Sequence, residues 1–451
     1  MNLSWSCPAR TVFGLGGLVD WLRTGPVAAP GPIGSVTVLA DRAVAGRPVL
    51  DELRHLLEGN GIGHEVQQIG GAVDLAAVSA LAGRLPRPGD RSGPAGHALV
   101  AVGGGSVLDQ VAIAAVLQAN PSVWTRLSVA QRSGLILLED IRARLPLVAV
   151  PTTIGTGAEA STSACLAHPD GKRLLIGDVL RPDAAVLDPL ATRGLPDHLV
   201  REGLLEPLFR LGCQFVADAG ERPTEDALAL ALAERLVALG DRLDDALGGP
   251  ATDPAASDEL RRQIAQISAL SHAPWLSLGR DRYAARGWYI ATELSVALGV
   301  RKMTAVAALL PALWAEIDDG RAVLGSADRL RAWWRRLRVA GARPLPADPA
   351  AGIAALVGRW RIDPRLPADA TAADPVARRC VARWGAGLPM LGRVRTDDLR
   401  GPLRRALSAV PDRPTPPEPR PAGPPPNPPK DRGGPRHRGP PSPHPIPEGG
   451  D

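Results

Sequence analysis

The sequence predicts an α/β domain built on a doubly wound parallel sheet, followed by an all-α domain that forms a helical bundle. From about residue 10 to residue 190, short apolar runs rich in β-branched residues alternate with longer amphipathic segments. Such runs are typical of strands that are buried on both faces of a parallel sheet. After Leu195-Pro196 the strand signals fade and helical periodicity replaces them.

The individual elements follow from the same patterns. The clearest predicted strands are VTVLA at 36–40, HALVAVG at 97–103 and LPLVAVP at 145–151. The clearest predicted helices lie at 225–248, 257–272, 283–298 and 303–317. We expect these helices to pack into the bundle of the second half.

Three regions follow from the composition: an α/β domain at 1–194, a helical domain at 195–409 and a tail at 410–451. Beyond Pro411 the sequence turns to PTPPEPRPAGPPPNPP and similar segments. Repeated proline removes backbone donors, and apolar side chains are nearly absent, so we predict a disordered tail with polyproline II character. It serves as a spacer or as a docking segment for an SH3-like partner.

Composition also excludes several classes of function. The net charge is only +5, and basic residues are scattered among acidic ones, which argues against nucleic acid as a partner. The N-terminus lacks a signal-peptide pattern, and no run of about 20 apolar residues predicts a membrane span. The four cysteines have no CxxC spacing, which favours a reducing cytoplasm; they are Cys7, Cys165, Cys213 and Cys380.

Lysine is rare in this chain. Of the 52 basic residues only three are lysines, namely Lys172, Lys302 and Lys430. Where lysine persists among so many arginines, a chemical reason is worth seeking.

Two glycine-containing loops follow predicted strands. The first, VGGGSVLD at 102–109, opens a helical pattern, and the second, PTTIGTGAE at 151–159, follows another apolar strand. Glycine lets the backbone approach a pyrophosphate closely, and a helix N-terminus supplies free N–H groups to an anion. Either loop by itself also fits a tight turn without a ligand. Two such loops at adjacent strand ends predict a site for one dinucleotide.

The ordered series GGGSVLD, PTTIGTGAE, GKRLLIG and RPDAAVLDP resembles the motifs of iron-containing alcohol dehydrogenases, and the opening TVFGLGGLVDWL at 11–22 is similar as well. The chain is identified as a divergent member of the superfamily that unites them with dehydroquinate synthases. The resemblance implies the two-domain fold and a set of cofactor contacts. Along the pyrophosphate it places Gly103, Gly104, Gly105 and Ser106. Toward the ribose and nicotinamide it places Asp109, Thr152 and Thr153, and Thr156 is a further expected contact.

Asp41 ends the strand VTVLA, where the family reads the adenosine ribose. A carboxylate at this point accepts the 2′-hydroxyl and repels a 2′-phosphate, which favours NAD over NADP. The alternative is that Asp41 is only a helix N-cap or turn residue.

The resemblance also implies a divalent metal, iron or zinc, held by a carboxylate and two or three histidines. Glu206 lies three residues after Gly203, as the first ligand does in dehydroquinate synthases. The usual histidine positions hold other residues: Arg210, then Trp288 or Arg286 according to the spacing used, and Lys302. Arginine stays protonated and indole offers no lone pair, so we expect an atypical metal site or none.

Two histidines are alternative ligands. His272 lies 66 residues after Glu206, within the family's range of separations, but too far from the Leu-Leu-Pro anchor at 309–311. We expect it to cap a helix or to face solvent. His198 lies in the segment LPDH, which we interpret as a loop.

The motif lysines carry the remaining site predictions. Lys302 stands where an iron ligand is expected, so its cation either pairs with Glu206 or polarises a substrate oxygen in place of the metal. The alternative is a surface lysine or a Glu206–Lys302 salt bridge without a catalytic role. Lys172 matches a lysine with which the synthase branch holds substrate anions. Trp288 is the predicted substrate-facing wall.

Three functions remain open at this point. The first is an NAD-dependent oxidoreductase for an alcohol or carbonyl group, with Lys302, Glu206 and Lys172 as catalytic candidates. Its pathway would be biosynthetic, for instance tailoring a natural product or the tail of a ribosomal peptide, as a daptide-type dehydrogenase does. The second is an inactive pseudoenzyme, and the third is a sugar-phosphate cyclase. The expected partners are a small-molecule or peptide-tail substrate and a second copy of the chain or a pathway enzyme.

Overall fold

The computed structural model describes residues 9–27, 30–87, 96–218, 220–247 and 253–408. The predicted tail at 410–451 lies outside these residues. The strands are β1 Arg10–Phe13, β2 Ile33–Asp41, β3 Gly63–Ile69, β4 Gly96–Gly103, β5 Leu135–Leu137, β6 Leu147–Pro151, β7 Ser163–His168, β8 Gly171–Ile176 and β9 Ala184–Leu187.

The helices alternate with the strands as far as β4, the strands β5 to β9 follow one another without an α-helix between them, and the rest of the described chain is helical. In the first half they are α1 Gly16–Thr24, α2 Pro48–Gly59, α3 Leu75–Ala82, α4 Gly105–Ala119, α5 Val123–Ser128 and α6 Pro189–Thr192. In the second half they are α7 Asp197–Ala217, α8 Pro223–Gly240, α9 Leu243–Leu247, α10 Pro254–Leu270, α11 Arg286–Leu298, α12 Lys302–Asp318, α13 Ala327–Leu337, α14 Pro349–Arg359, α15 Ala373–Trp384 and α16 Thr396–Ser408.

The main sheet is parallel throughout, with the strand order β1-β9-β6-β4-β2-β3. From β2 the chain passes to β3 on one side and then returns to β4 on the other. In open α/β sheets, ligands bind outside the carboxyl ends of the strands where the order reverses in this way. Asp41, Gly103 and Pro151 end β2, β4 and β6 at this edge.

The fold class predicted from the sequence is confirmed. The central strands are continuous apolar runs because helices cover both faces of the sheet, and Val36, Leu99 and Val148 are completely buried. The second half is helical and has a core rich in tryptophan; its largest fully buried side chains are those of Trp333, Trp334, Trp360 and Trp384. Among the helices of the described residues, none has the length and apolarity needed to cross a membrane.

A second, three-stranded sheet was not predicted. Its order is β5-β8-β7, and β7 and β8 form an antiparallel hairpin. Along β7 the residues alternate: Ala164 and Leu166 are buried in the core, whereas Ser163 and Cys165 are only partly buried. The strands β7 and β8 are only six residues long, and in β8 a buried arginine interrupts the apolar alternation, which gives a weak sequence signal.

Two further expectations concern boundaries. The change from strands to helices falls between β9 and α7, and the described residues form one compact unit, so a domain boundary at residue 194 stays a prediction. The interpretation of His198 as a loop residue was wrong. Helix α7 begins at Asp197, directly after Pro196, and His198 is an exposed residue of its first turn.

Helix α14 offers a matched pair of glycines that tests this packing. A methyl group at Gly352 would overlap the buried Trp334 indole, whereas one at Gly358 would meet no atom within 4 Å. We expect Gly352→Ala to lower the free energy of unfolding by about 1–3 kcal/mol through overpacking. Gly358→Ala should raise it by up to about 1 kcal/mol through helix propensity. Urea denaturation of both variants checks this, and equal effects would contradict the packing described.

Candidate active site

The first glycine loop leads from β4 into α4 at the carboxyl edge of the sheet. The carbonyl oxygen of Gly103 accepts a 2.9 Å hydrogen bond from the Thr152 amide, which ties the two predicted loops together. A Cβ atom at Gly104 would lie 3.0 Å from the Thr153 methyl group, and one at Gly105 would lie 3.1 Å from that of Thr156. The glycines therefore allow the loops to approach each other at the N-terminus of α4.

The threonine hydroxyls of the second loop are unsatisfied. Among the described residues, Thr153 Oγ1 and Thr156 Oγ1 are buried and have no hydrogen-bond partner. Buried polar atoms without a partner are uncommon and call for an explanation such as a bound ligand. Both hydroxyls belong to residues that line cavities beside α4.

Two cavities adjoin across the N-terminus of α4. The first, of about 670 Å³, is lined by Asp41, Gly104, Thr152 and Thr153 among others. The second, of about 520 Å³, is lined by Gly105, Ser106, Asp109 and Thr156 and extends into the helical half. An elongated ligand that crosses a glycine-rich helix N-terminus from one cavity to the other fits this arrangement, as a dinucleotide does.

Asp41 is a capping residue, and its contact with a ribose stays a prediction. Its carboxylate accepts a 3.0 Å hydrogen bond from the Ala43 amide and caps the short 3₁₀ helix Arg42–Val44. Its side chain also lines the first cavity. Capping therefore fixes the carboxylate at the edge where a ribose is expected.

Asp109 has a partner within the protein. Its carboxylate accepts a 2.8 Å hydrogen bond from the Cys165 amide and so links α4 to β7. Burial raises the pKa of Asp109 to about 7, against the opposing effects of this hydrogen bond and of Lys172 and Lys302. Asp109 lines the second cavity, and its contact with a cofactor stays a prediction.

The positions expected to hold a metal come together in the second cavity. Glu206 and Arg210 of α7, Trp288 of α11 and Lys302 of α12 all line it, whereas Arg286, the alternative to Trp288, does not. Across the described residues, no group of three or more His, Cys, Asp or Glu side chains is arranged to hold a metal ion. Glu206 is a carboxylate beside two cations and an indole. This donor set does not fit iron or zinc.

Arg210 replaces an expected histidine and holds the second loop. Its guanidinium donates hydrogen bonds to the carbonyl oxygens of Gly155 at 3.0 Å and Thr156 at 2.8 Å, and to Ser271 Oγ at 2.6 Å. It also lies 3.9 Å from the Glu206 carboxylate. Arg210 thus joins the cofactor loop to α7 and to the end of α10.

The loop itself packs closely on α7. Gly155 adopts φ +102°, and a Cβ there would lie 2.6 Å from the Gly203 Cα atom. A Cβ at Gly203 would in turn lie 2.7 Å from the Ile154 side chain. Glycine at both positions permits the approach that brings Arg210 within reach of the loop carbonyls.

Lys302 begins α12 and faces the cavity. Its ammonium lies 2.8 Å from the centroid of the Trp288 ring, a cation–π contact, and Trp288 stacks on Phe209. Burial lowers the pKa of Lys302 to about 7, although the Glu206 charge opposes this change. The alternatives of a surface lysine or of a Glu206–Lys302 salt bridge are not realised, since within the described chain the ion pair of Glu206 is with Arg210.

Lys172 projects from β8 into the same cavity. In the described part of the chain its ammonium makes neither a hydrogen bond nor an ion pair within 4 Å. The pKa of Lys172 is raised, most of all by the charge of Cys165. Asp109 and Glu206 also raise it, and burial opposes the rise. A second cation therefore stands beside Lys302 in the cavity.

The expectation for His272 was wrong. It follows the end of α10 and lies beneath the second loop, with Nε2 3.2 Å from the Thr156 carbonyl oxygen. It neither caps a helix nor faces solvent; it lines the second cavity. Burial lowers the pKa of His272 well below its usual range, so the imidazole is neutral.

Arg210 provides the sharpest test of this architecture. Arg210→Lys keeps a cation but loses most of three hydrogen bonds, so the free energy of unfolding should fall by about 1–3 kcal/mol. The control is Arg282→Lys, because Arg282 is exposed, forms an ion pair with the exposed Glu139 and lies over the Tyr283 ring; its change should stay within about 0.5 kcal/mol. Urea denaturation measures both, and equal losses would refute the bracing role of Arg210.

Comparison with known proteins agrees with this geometry. Residues 8–189 match the family model for iron-containing alcohol dehydrogenase. "Probable alcohol dehydrogenase EutG" of Salmonella typhimurium is 34% identical over 152 residues, which are 33% of this chain and 36% of that protein. The 4-hydroxybutyrate dehydrogenase of Cupriavidus necator is 36% identical over 138 residues, 30% of this chain and 35% of that protein. The chain thus aligns with little more than a third of the length of these relatives.

Similarity in structure extends further. The sulfoacetaldehyde reductase from Bifidobacterium kashiwanohense, solved in complex with NAD⁺, superposes with a TM-score of 0.67 at 18% identity. That alignment covers 91% of this chain and all of the reductase. Residues 8–189 are thus similar in sequence to iron-containing alcohol dehydrogenases, and the described chain shares the fold of the NAD⁺-bound reductase.

Proposed function

We propose that this protein is an NAD-dependent oxidoreductase that interconverts an alcohol and a carbonyl compound without a catalytic metal. One observation carries the proposal: the cavity that receives the N-terminus of α4 also contains the buried ammonium of Lys302, held on the face of Trp288. A dinucleotide site and a group able to polarise oxygen thus open into one space.

The residues at the sheet edge fit a dinucleotide. Asp41 would hold the adenosine ribose, and the N-terminus of α4 at Gly104 and Gly105 would hold the diphosphate. The orphaned hydroxyls of Thr153 and Thr156 would gain partners. When bound, the nicotinamide supplies the hydride acceptor or donor of the reaction.

Lys302 takes the role that the missing metal would have had. A protonated ammonium in a closed cavity stabilises negative charge on the substrate oxygen and delivers a proton when a carbonyl is reduced. In the reverse direction the neutral amine accepts the hydroxyl proton. A pKa of about 7 suits both directions, because a general acid–base group works best near the operating pH.

Lys172 favours a substrate with an anionic group. Its ammonium is uncompensated by any carboxylate within 4 Å among the described residues, so a carboxylate, sulfonate or phosphonate on the substrate would neutralise it. The 4-hydroxybutyrate dehydrogenase among the relatives is named for a substrate of this kind. Its substrate is therefore a suitable first compound to test.

The second candidate function is a pseudoenzyme that binds NAD without turnover, and the donor set that does not fit a metal favours it. A sugar-phosphate cyclase gains no such support, because its chemistry needs a metal ion that this donor set does not fit. We further propose a cytoplasmic protein that acts alone or as a homodimer, or with a pathway enzyme. Its role would be to tailor a small natural product or a peptide tail.

Asp41 tests the cofactor. Calorimetric titration of wild type should give tighter binding of NAD than of NADP, because the carboxylate repels a 2′-phosphate. In Asp41→Asn the side chain can still cap the 3₁₀ helix, but its charge is lost. The preference for NAD over NADP should therefore fall by about tenfold. Glu65→Gln is the control for lost charge, because Glu65 is an exposed residue of β3, the strand next to β2. Wild-type protein that binds neither nucleotide would overturn the proposed function.

Lys302 tests the chemistry. With metal-analysed protein, chelator and NADH, reduction of succinic semialdehyde should be fastest below pH 7 and should decline as Lys302 loses its proton through a pKa of about 7. Lys302→Arg should abolish this decline, because arginine stays charged, whereas Lys302→Met should lower kcat about 100-fold or more at every pH.

Arg301→Lys is the matched control, since Arg301 pairs with Glu202 and does not line the cavity. It should keep the wild-type pH profile. Turnover that depends on added iron or zinc, or a Lys302→Met variant with full activity, would contradict the mechanism. NAD binding without any turnover would favour the pseudoenzyme.

A further inference from the structure

Cys165 faces the second cavity from the hairpin that the sequence did not predict. Along β7 the alternate residues Ser163, Cys165 and Ala167 line this cavity, and Lys172 and Leu174 line it from β8. Cys165 pairs with Leu174 and Ala167 pairs with Lys172. Cys165 and Lys172 are therefore diagonal neighbours on one face of the hairpin, roughly 7–8 Å apart at their backbones, within reach of a long side chain.

Two lysine ammonium groups share the second cavity with Cys165. Lys172 lines the cavity with Cys165 and makes no hydrogen bond or ion pair with its ammonium within the described chain. Lys302 also has Cys165 among the groups that raise its pKa. A cysteine beside lysine ammonium groups forms its thiolate more readily, and the thiolate is the reactive nucleophile.

The other described cysteines, Cys213 and Cys380, lie in different surroundings from Cys165. Burial raises the pKa of Cys213 and of Cys380 far above the usual range. Cys165 lines the second cavity, and neither of the other two does, although Cys213 is partly buried like Cys165 and only Cys380 is fully buried. They are internal controls for the reactivity of Cys165.

We propose that Cys165 is a nucleophilic thiol that captures aldehydes reversibly in the active-site cavity. Its Sγ adds to the aldehyde carbonyl carbon: the S–C bond forms and the C=O π bond opens. The proton of the thiol ends on the former carbonyl oxygen, which gives a thiohemiacetal without any oxidant or reductant. Lys172 stabilises the thiolate that starts the addition and acts as a positioning charge.

Capture of this kind would retain a reactive aldehyde within the cavity. It rests on the proposed function only in so far as an aldehyde is a substrate or product there. The thiol belongs to no step of the proposed hydride transfer, so the two ideas can be tested separately.

Alkylation by iodoacetamide, followed by peptide mapping of the native full-length protein, tests the thiol. Cys165 should react at least about tenfold faster than Cys213 and Cys380. Lys172→Met should slow Cys165 severalfold, and Lys172→Arg should preserve its rate. Because iodoacetamide is uncharged, these rates report on the thiol rather than on binding of a substrate anion. Reaction of Cys165 no faster than that of Cys380 would overturn the proposal.

The adduct is tested with propanal labelled with ¹³C at the carbonyl carbon. Wild-type protein should show a new thiohemiacetal carbon resonance that is absent from Cys165→Ser and Cys165→Ala, with thermal unfolding confirming that both variants fold. Propanal, but not propanol, should protect Cys165 from alkylation. The same resonance in both variants, or no protection, would refute capture.

Parallel measurement of NADH consumption with succinic semialdehyde, the substrate used to test the proposed function, separates the two proposals. An adduct without turnover supports capture and removes the oxidoreductase. Turnover without an adduct or protection leaves the oxidoreductase standing and removes capture.

Discussion

The structure of the site depends on one side chain, the buried guanidinium of Arg210. It bonds the carbonyl oxygens of Gly155 and Thr156 and the hydroxyl of Ser271, and so ties the loop after β6 to α7 and α10. A buried arginine is tolerated only where its donors are satisfied, and here backbone carbonyls satisfy them. Arg210 stands where the resemblance implies a histidine metal ligand. The same residue therefore also holds the loop after β6 in place.

Burial of charge determines the electrostatics of the second cavity. Desolvation brings the pKa of Asp109 up to about 7 and that of Lys302 down to about 7, so an acid and a base of opposite charge titrate in the same range. Glu206 is held near Arg210 and does not neutralise Lys302 at short range. The result is a cavity in which fixed cations, rather than a dication, are available to stabilise developing negative charge.

The sequence predicted much of this site because its residues are adjacent in the chain. Gly103, Gly104 and Gly105 lie together and mark the strand-to-helix turn. The second loop likewise contains glycines and directly follows an apolar strand. His272 could not be predicted in this way, since it meets Thr156 across 116 residues of sequence. The role of Arg210 was hidden for the same reason: its loss as a ligand is visible in the sequence, whereas its new hydrogen bonds are not.

By itself the sequence determined the α/β and helical halves, the parallel strands, the two glycine loops and the residues that replace the expected metal ligands. These features depend on local periodicity, backbone freedom and the chemistry of single side chains. Only the tertiary structure decided that Lys302 rests on Trp288, that Arg210 braces the loop and that Cys165 shares a face with Lys172. Each of these contacts depends on which side chains the packing brings together and on how far water is excluded from them. The order of the residues alone determines neither the packing partners nor the exclusion of water.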